Sequence, residues 1–300
     1  MQAVITGAQG FIGRALMAAL PGAIGIDLAD GDITEPGSWQ DKVRGDVVIH
    51  TAAAVGMPRQ AGHFWRVNVL GTRNVLQAAI ANGVPRVVLF SSVTVFGNDF
   101  PDQVGEDYPT RPTGVPYADS KIAAEHLCLI TPGIDVVIVR PGDVYGPGSR
   151  PWTLLPVEMI RSRQVAVPTT GLHSPVHVDD VVAGTVAAAR STDAVGHIIT
   201  LSGGVGVPTG EYFDHYARML GRRRVPRVPR SVMLAATTAA NRVGLLPDLS
   251  PAGVRYLADR RGTYSIATAQ RLLGWRPQVG LEEGMARTQQ WLSDQGLLAT

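Results

Sequence analysis

The stretch Ala3–Gly13, with the sequence AVITGAQGFIG, combines a strand signal with three regularly spaced glycines. Its apolar start is typical of a buried strand, and the apolar segment after it has the periodicity of a helix. The stretch therefore predicts a strand, a tight turn and a helix. Without Cβ atoms, Gly7 and Gly10 let the backbone approach a pyrophosphate, and Gly13 lets the helix pack closely on the strand.

An acidic residue follows the next predicted strand. Residues 23–26 form an apolar run that ends on Asp27, twenty residues after Gly7. A carboxylate at this position accepts hydrogen bonds from both hydroxyl groups of an adenosine ribose, and it would repel a 2′-phosphate. The glycine turn, the helix N-terminus and the acid together predict a dinucleotide site that binds NAD rather than NADP.

Strands and helices alternate over the first 140 residues. This alternation predicts an α/β fold with a doubly wound parallel Rossmann sheet and helices on both faces. After residue 145 the sequence becomes rich in Pro and Gly. We therefore expect an NAD-binding Rossmann domain over 1–145, to which 176–201 returns, and a smaller C-terminal substrate lobe built from 146–175 and 202–300. The predicted strands are 46–50, 84–90, 134–139 and 194–201, and the predicted helices are 63–82, 117–129, 179–190, 210–220 and 281–291.

The composition is that of an ordinary globular chain. It has 300 residues, of which 45% are hydrophobic and 17% charged, and a formal net charge of +2. This charge is too small to indicate a nucleic-acid partner, and no uninterrupted apolar run is long enough to span a membrane. The single cysteine, Cys128, excludes an internal disulfide and fits a reducing compartment, so we expect a cytoplasmic location.

A proton-transfer pair lies in the run PYADSKIAAEHL. Tyr117 and Lys121 are four residues apart, which places them on one face of a helix. An ammonium close to a phenol favours the phenolate, which is the form that accepts a proton. Ser92 follows a predicted strand in SSVTVFG and offers a hydroxyl to the same substrate oxygen. These residues predict the loss of a proton from a carbinol as its hydride leaves to a nicotinamide, and the reverse.

The chain resembles the extended short-chain dehydrogenases/reductases, also called the NAD-dependent epimerase/dehydratase family. The resemblance covers nearly the whole chain and implies a catalytic triad of Ser92, Tyr117 and Lys121, with Lys121 also holding the nicotinamide ribose. The motifs that carry it are TGAQGFIG, Asp27, Asp32-Ile33, HTAA, NVLGTRNV, SSVTVFG, PYADSK, RPGDVYGPG, VHVDD and LLGWRPQVGLEEGM.

The resemblance also implies a set of binding residues and a homodimer. The dimer would form through the helices 63–82 and 117–129, the substrate would be a small molecule, and no metal site is expected. The cofactor-binding residues would be Gly7, Gly10, Phe11, Ile12, Gly13, Asp27, Asp32, Ile33, Ala52, Ala53, Asn68, Ser91, Tyr117, Lys121, Pro141 and Val144. The substrate-binding residues would be Thr94, Asp143 and His177.

Three departures from the family pattern bear on the reaction. Dehydratases carry an acidic pair directly after the catalytic hydroxyl, whereas Ser92 is followed by Val93 and Thr94, which argues against dehydration. Sugar-nucleotide members often have an arginine where this chain has Ser174-Pro175, and an asparagine where it has Asp143. The C-terminal run is more similar to the 3β-hydroxysteroid dehydrogenase branch, which favours a hydroxysteroid-like alcohol or ketone.

Two other functions stay open from the sequence. A UDP-sugar 4-epimerase would use bound NAD and needs basic groups for the diphosphate, for which Arg140 and the arginines of 222–230 are the candidates. A non-catalytic dinucleotide-binding protein would not need Tyr117 and Lys121.

The basic run 222–230 is either a solvated surface loop or a site for an anion or a membrane surface. His173 and His177 have a metal-like spacing, but Pro175 between them favours a loop.

Overall fold

The computed structural model describes residues 1–56, 61–163, 165–242 and 250–298. Within these ranges a π-helical turn, Trp65–Gly71, joins α2 to α3, and a 3-10 helix, Val93–Phe96, follows β4. The strands are β1 Ala3–Thr6, β2 Ile24–Ile26, β3 Val47–His50, β4 Arg86–Phe90, β5 Asp135–Pro141, β6 Asp143–Tyr145, β7 Val167–Pro168, β8 Leu172–His173, β9 Pro175–His177, β10 Ile198–Leu201, β11 Val207–Pro208 and β12 Arg227–Val228. The helices are α1 Phe11–Ala19, α2 Ala61–Phe64, α3 Thr72–Ala81, α4 Pro116–Ile130, α5 Leu155–Arg161, α6 Val178–Arg190, α7 Thr209–Met219, α8 Arg230–Arg242, α9 Pro251–Asp259, α10 Ala267–Leu273 and α11 Leu281–Asp294.

The large sheet has six parallel strands in the order β10-β5-β4-β3-β1-β2. Strand β1 lies between β2 and β3, with Val4 opposite both Ile24 and Val48. The chain therefore leaves the centre of the sheet in two directions, which is the doubly wound arrangement that the alternating sequence predicts. The carboxyl ends of β1 to β5 all open on one edge of the sheet, where such folds bind their ligands.

Alternate residues of each central strand face opposite helical layers. Ile5, Ile49 and Val139 pack in one apolar cluster with Leu16 of α1 and Val181 of α6. The neighbouring strand residues Val4, Val48 and Ile138 face the other side of the sheet. They pack in a second cluster with Val75 and Ala79 of α3 and with Ala124 and Cys128 of α4. Burial on both faces explains why the strands read as continuous apolar runs.

The chain after β5 builds a further apolar cluster. Its buried residues include Tyr145, Val157, Tyr212 and Tyr216. Strand β10 pairs with β5 in the large sheet. This pairing supports the expected return of 176–201 to the Rossmann sheet, and the exact division into domain and lobe stays a prediction.

The basic run is more ordered than a solvated loop. It contains strand β12, and α8 begins at Arg230. Arg227 pairs with Asp214 at 2.7 Å, and Arg230 pairs with Asp259. The sequence analysis predicted no helix over 230–242.

No helix in the described ranges is long and apolar enough to cross a membrane.

Candidate active site

The glycine turn forms a tight cradle after β1. Gly7 has a φ of +73°, and its N–H donates to the Ile26 carbonyl at 2.8 Å. A Cβ on Gly7 would lie 2.7 Å from the Ala52 nitrogen, and one on Gly13 would lie 2.0 Å from the Gly7 oxygen. Gly10 caps α1 without a side-chain hydrogen bond. The first N–H groups of α1, at Phe11, Ile12 and Gly13, therefore have no side-chain cap, and the cradle fits a pyrophosphate.

Asp27 joins the glycine turn to the end of β2. One carboxylate oxygen accepts from the Gln9 N–H at 2.7 Å and the other from the Leu28 N–H at 2.8 Å. Each oxygen keeps a lone pair for a ribose hydroxyl. The neighbouring cation, Lys42, is held by Asp30, whose pKa is lowered by that bond.

The predicted residues around β3 are fixed by hydrogen bonds and packing. The buried Asn68 amide accepts from Ala54 N–H at 2.8 Å and donates to the Ser120 hydroxyl at 2.9 Å, so it links the loop containing Ala52 and Ala53 to α4. Asp32 accepts from the Thr34 N–H at 2.8 Å. Ile33 is buried against Gly71, where a Cβ would lie 2.7 Å from its side chain.

Three consecutive residues at the end of β4 meet one face of α4. The Phe90 carbonyl accepts from Lys121 Nζ at 2.7 Å, and the Ser91 hydroxyl donates to the Glu125 carboxylate. The Ser92 hydroxyl lies close enough to the phenol of Tyr117 to lower its pKa. The structure thus brings together the three residues of the predicted triad, at the carboxyl edge of the sheet.

The environment of the triad changes the pKa of two of its members. Burial raises the pKa of Tyr117, although the hydrogen bond from Ser92 lowers it. Burial lowers the pKa of Lys121 to about 8, against the charge of Glu125, which raises it. The sequence predicted that Lys121 lowers the pKa of Tyr117, but here the ammonium bonds to the Phe90 carbonyl and burial dominates at the phenol.

Thr94 lies in the 3-10 helix that Ser92 caps. Its N–H donates to the Ser92 hydroxyl at 3.2 Å. Its own hydroxyl oxygen is buried and has no hydrogen-bond partner within the described ranges. A buried hydroxyl without a partner is unusual in a folded protein, and the predicted contact of Thr94 with a substrate stays a prediction.

Asp143 is fully engaged by protein groups. Its carboxylate accepts from Arg260 at 2.7 Å, from the Tyr256 hydroxyl at 2.6 Å and from the Ser174 N–H at 3.0 Å, and His173 lies at 3.1 Å. Burial by itself raises the pKa of Asp143, but Arg260 and His173 hold it well below its usual value. A direct substrate contact by Asp143 stays a prediction. Sequence reasoning missed Arg260 as its partner.

His177, the other predicted substrate residue, caps α6. Its Nδ1 accepts from the Asp179 N–H at 3.3 Å, while its Nε2 is buried and unpaired within the described part of the chain. No group of three metal-ligating side chains occurs in that part. Pro141 ends β5 and Val144 is buried in β6, and their contact with a cofactor stays a prediction.

A comparison with known protein families identifies the family of the chain. Residues 3–202 match the NAD dependent epimerase/dehydratase family. The chain belongs to this family. It is accordingly an enzyme that uses NAD, and its glycine cradle and Asp27 fit that cofactor.

Individual relatives cover most of the chain. A dTDP-glucose 4,6-dehydratase of Streptomyces griseus is 30% identical, over 87% of this chain and 76% of the relative. A 2-alkyl-3-oxoalkanoate reductase of Stenotrophomonas maltophilia is 28% identical, over 96% and 98%. The crystal structure of a dTDP-glucose 4,6-dehydratase double mutant from Streptomyces venezuelae, with NAD bound, is 26% identical over 98% and 97%, with a TM-score of 0.78. None of these names supports the hydroxysteroid-like substrate that the C-terminal sequence suggested.

Proposed function

We propose that the protein is an NAD-dependent reductase or dehydrogenase that interconverts a ketone and a secondary alcohol. The observation that carries this proposal is the meeting of Ser92 with Tyr117 at the carboxyl edge of the sheet, beside Lys121. Only a reaction with proton transfer needs Ser92, Tyr117 and Lys121 together. Their presence therefore argues against a protein that merely binds the dinucleotide.

Each side chain of the proposed triad has a different role in the reaction. The Ser92 hydroxyl and the Tyr117 phenol hold the substrate oxygen between them. Tyr117 accepts the hydroxyl proton in the direction of oxidation and returns it in the direction of reduction. Lys121 keeps a positive charge near the phenolate that forms, which lowers the energy of that state. When bound, NAD supplies the hydride acceptor, and NADH the donor.

Dehydration is not supported by the residues after Ser92. Val93 is buried and apolar, and Thr94 offers a hydroxyl whose proton is not acidic enough to expel water. The reductase from Stenotrophomonas maltophilia, which matches this chain over nearly its whole length, is consistent with a reaction that stops after hydride transfer.

Epimerisation of a sugar nucleotide is the second candidate. It is favoured by the sugar-nucleotide relatives, but it needs free cations for the diphosphate. Arg140 is held by Glu125 at 2.7 Å, and Arg260 by Asp143 at 2.7 Å. The pairs of Arg227 and Arg230 described above occupy two more guanidinium groups. These pairings favour a substrate without a diphosphate, and they leave Arg222, Arg223 and Arg224 as the arginines of the basic run for which the described residues show no ion pair.

A substrate panel separates the two candidates. The enzyme is incubated with NAD or NADH and with simple secondary alcohols, 2-alkyl-3-oxoalkanoates, hydroxysteroids and UDP-sugars, while NADH absorbance and sugar products are followed separately. We expect net formation or consumption of NADH with a substrate that lacks a diphosphate. Interconversion of UDP-sugars without net NADH, by protein that purifies with NAD, would overturn the proposal.

The proposed assembly is a homodimer. Exposed apolar side chains lie on α3 and α4, at Ile80, Leu129 and Ile130, and Trp65 is exposed on the π-helical turn before α3. Burial of these residues between two copies would remove apolar surface from water. Light scattering coupled to size-exclusion chromatography tests this proposal, and a monomeric mass would contradict it. A cytoplasmic location also stays a prediction.

A further inference from the structure

Glu125 is a buried acid that the proposed reaction does not use. It lies one turn after Lys121 on α4 and its side chain is 1% exposed. One carboxylate oxygen accepts from Arg140 Nε at 2.8 Å and from the Ser91 hydroxyl, and the other accepts from Arg140 Nη2 at 2.7 Å. The carboxylate is therefore held by β4 and β5 at once.

Packing a helix on a sheet through a buried ion pair has a high free-energy cost. Moving both charges out of water costs several kcal/mol per ion, and well-packed apolar side chains often give equal or better stability. Elsewhere α4 packs through apolar side chains, as at Ala124 and Cys128. The Glu125–Arg140 pair thus calls for a reason besides stability.

Arg140 also contacts the chain after Ser92. Its guanidinium lies 4.7 Å from the ring centre of Phe96, which belongs to the 3-10 helix that begins after Ser92. Its Nη1 is buried without a hydrogen-bond partner among the described residues. Arg140 and Glu125 together therefore contact the chain directly before and shortly after the catalytic serine.

We propose that Glu125 and Arg140 are positioning residues, which fix the register of α4 on the end of β4 and place a negative charge beside Lys121. The register matters because Phe90, Ser91 and Ser92 meet Lys121, Glu125 and Tyr117 in turn. Sliding of α4 would separate Tyr117 from Ser92. This inference rests on the function proposed above.

The charge of Glu125 acts on a lysine with few other charged neighbours. The titratable groups that interact with Lys121 are Glu125 and the Cys128 thiol on its own helix and His50 of β3. Burial raises the pKa of Cys128 to about 12 and lowers that of His50 to about 3, so both are neutral at working pH. Arg140 is the ion-pair partner of Glu125 and stays charged. Loss of the Glu125 charge is expected to lower the pKa of Lys121, so that the ammonium loses its proton at a lower pH.

Glu125→Gln tests the inference by two readouts. We expect kcat to fall at least about tenfold with little change in KM, and the alkaline limb of the pH–rate profile to move to lower pH. The chain contains two lysines, Lys42 and Lys121, so carbon-13 labelling of lysine gives two signals in the NMR spectrum. The Lys121 signal should titrate at lower pH than in the wild type, while the Lys42 signal stays unchanged.

Two further variants control for damage to the fold. Glu125→Gln/Arg140→Gln removes both charges, avoids an unpaired buried guanidinium, and should also lower the titration midpoint of Lys121. Asp180→Asn removes another buried carboxylate, which accepts from Gln278 and Val279 N–H groups, and should leave that midpoint unchanged.

The outcomes separate this inference from the proposed function. If Lys121 titrates as in the wild type in both Glu125 variants, or if Asp180→Asn shifts it equally, the inference is wrong. If the wild type turns over no ketone or alcohol while the Lys121 signal shifts as expected, the proposed function fails and the placement of the charge by Glu125 stands.

Discussion

Asp143 and Arg260 form an ion pair at 2.7 Å in which both side chains are 1% exposed. Removing one partner of such a pair leaves an uncompensated buried charge. We expect Asp143→Asn to lower the free energy of unfolding by about 3–5 kcal/mol, measured by urea denaturation at neutral pH. Asp99→Asn, in an exposed pair with Arg111 at 3.6 Å, should leave it nearly unchanged. Equal effects of the two substitutions would contradict the assigned importance of the buried pair.

The stabilisation by Asp143 depends on pH with a defined sign. Because its folded pKa lies below the unfolded value, the carboxylate stabilises the fold above about pH 4, and this contribution is lost as the pH falls. The difference in stability between the wild type and Asp143→Asn should therefore shrink in acid. Denaturation curves between neutral pH and about pH 3 measure it. A difference that stays constant would show that Asp143 has the same pKa in the folded and the unfolded protein.

Tyr117→Phe should abolish most turnover and leave NAD affinity nearly intact. The substitution removes the phenolic oxygen but keeps the ring, which packs edge-on against Phe64. We expect kcat to fall about 10²–10⁴-fold. Lys121→Ala should lose both activity and NAD affinity. Tyr108→Phe, beside Phe96, serves as the control with unchanged rate. A Tyr117→Phe variant that keeps more than a few per cent of the wild-type rate would refute proton transfer by Tyr117.

Asp27 is expected to select NAD over NADP. Its carboxylate lies against the glycine turn, and the nearby Lys42 is already paired with Asp30. We expect NADP to bind at least about tenfold more weakly, because its 2′-phosphate meets this negative charge. Asp27→Asn should reduce the difference in affinity between NAD and NADP. The control Asp46→Asn, which lies before β3 at the opposite edge of the sheet, should leave that difference unchanged. Fluorescence titration with both cofactors measures the affinities, and tighter NADP binding by the wild type would contradict the prediction.

Local periodicity predicted the large sheet well, since its strands are buried on both faces and its helices carry long apolar stripes. Strand β10 was expected to begin at 194 but begins at Ile198. Helices α5, α8, α9 and α10 escaped prediction. Helix α9 is held by contacts such as that of Tyr256 with Asp143, which are 113 residues apart.

The candidate site was predictable where its residues are close in sequence. The spacing of Tyr117 and Lys121 identifies a shared helix face, and Glu125 continues that face one turn later. The sequence does not show that Glu125 is buried, because a charged residue at this spacing is usually exposed. It also cannot show that Asp143 is neutralised, since Arg260 lies 117 residues away.

His50 gives a separate test of the structure through its protonation. Its Nδ1 lies 2.6 Å from the Thr6 hydroxyl, and its Nε2 lies 3.0 Å from the Thr72 hydroxyl. Thr72 donates its own proton to the Asn68 carbonyl, so Nε2 carries the imidazole proton and Nδ1 accepts from Thr6. A second proton on Nδ1 would break that bond inside the core.

Burial accordingly lowers the pKa of His50 to about 3. The unfolded chain binds this proton near pH 6.5 and the folded chain does not, so stability falls as the pH drops below that value. From pH 7 to pH 5 this group should remove about 2 kcal/mol of stability. His50→Gln should lose that part of the pH dependence, whereas His197→Gln, at an exposed histidine, should keep it. Urea denaturation at both pH values measures the slopes, and equal slopes for the wild type and His50→Gln would mean that His50 is protonated in the fold.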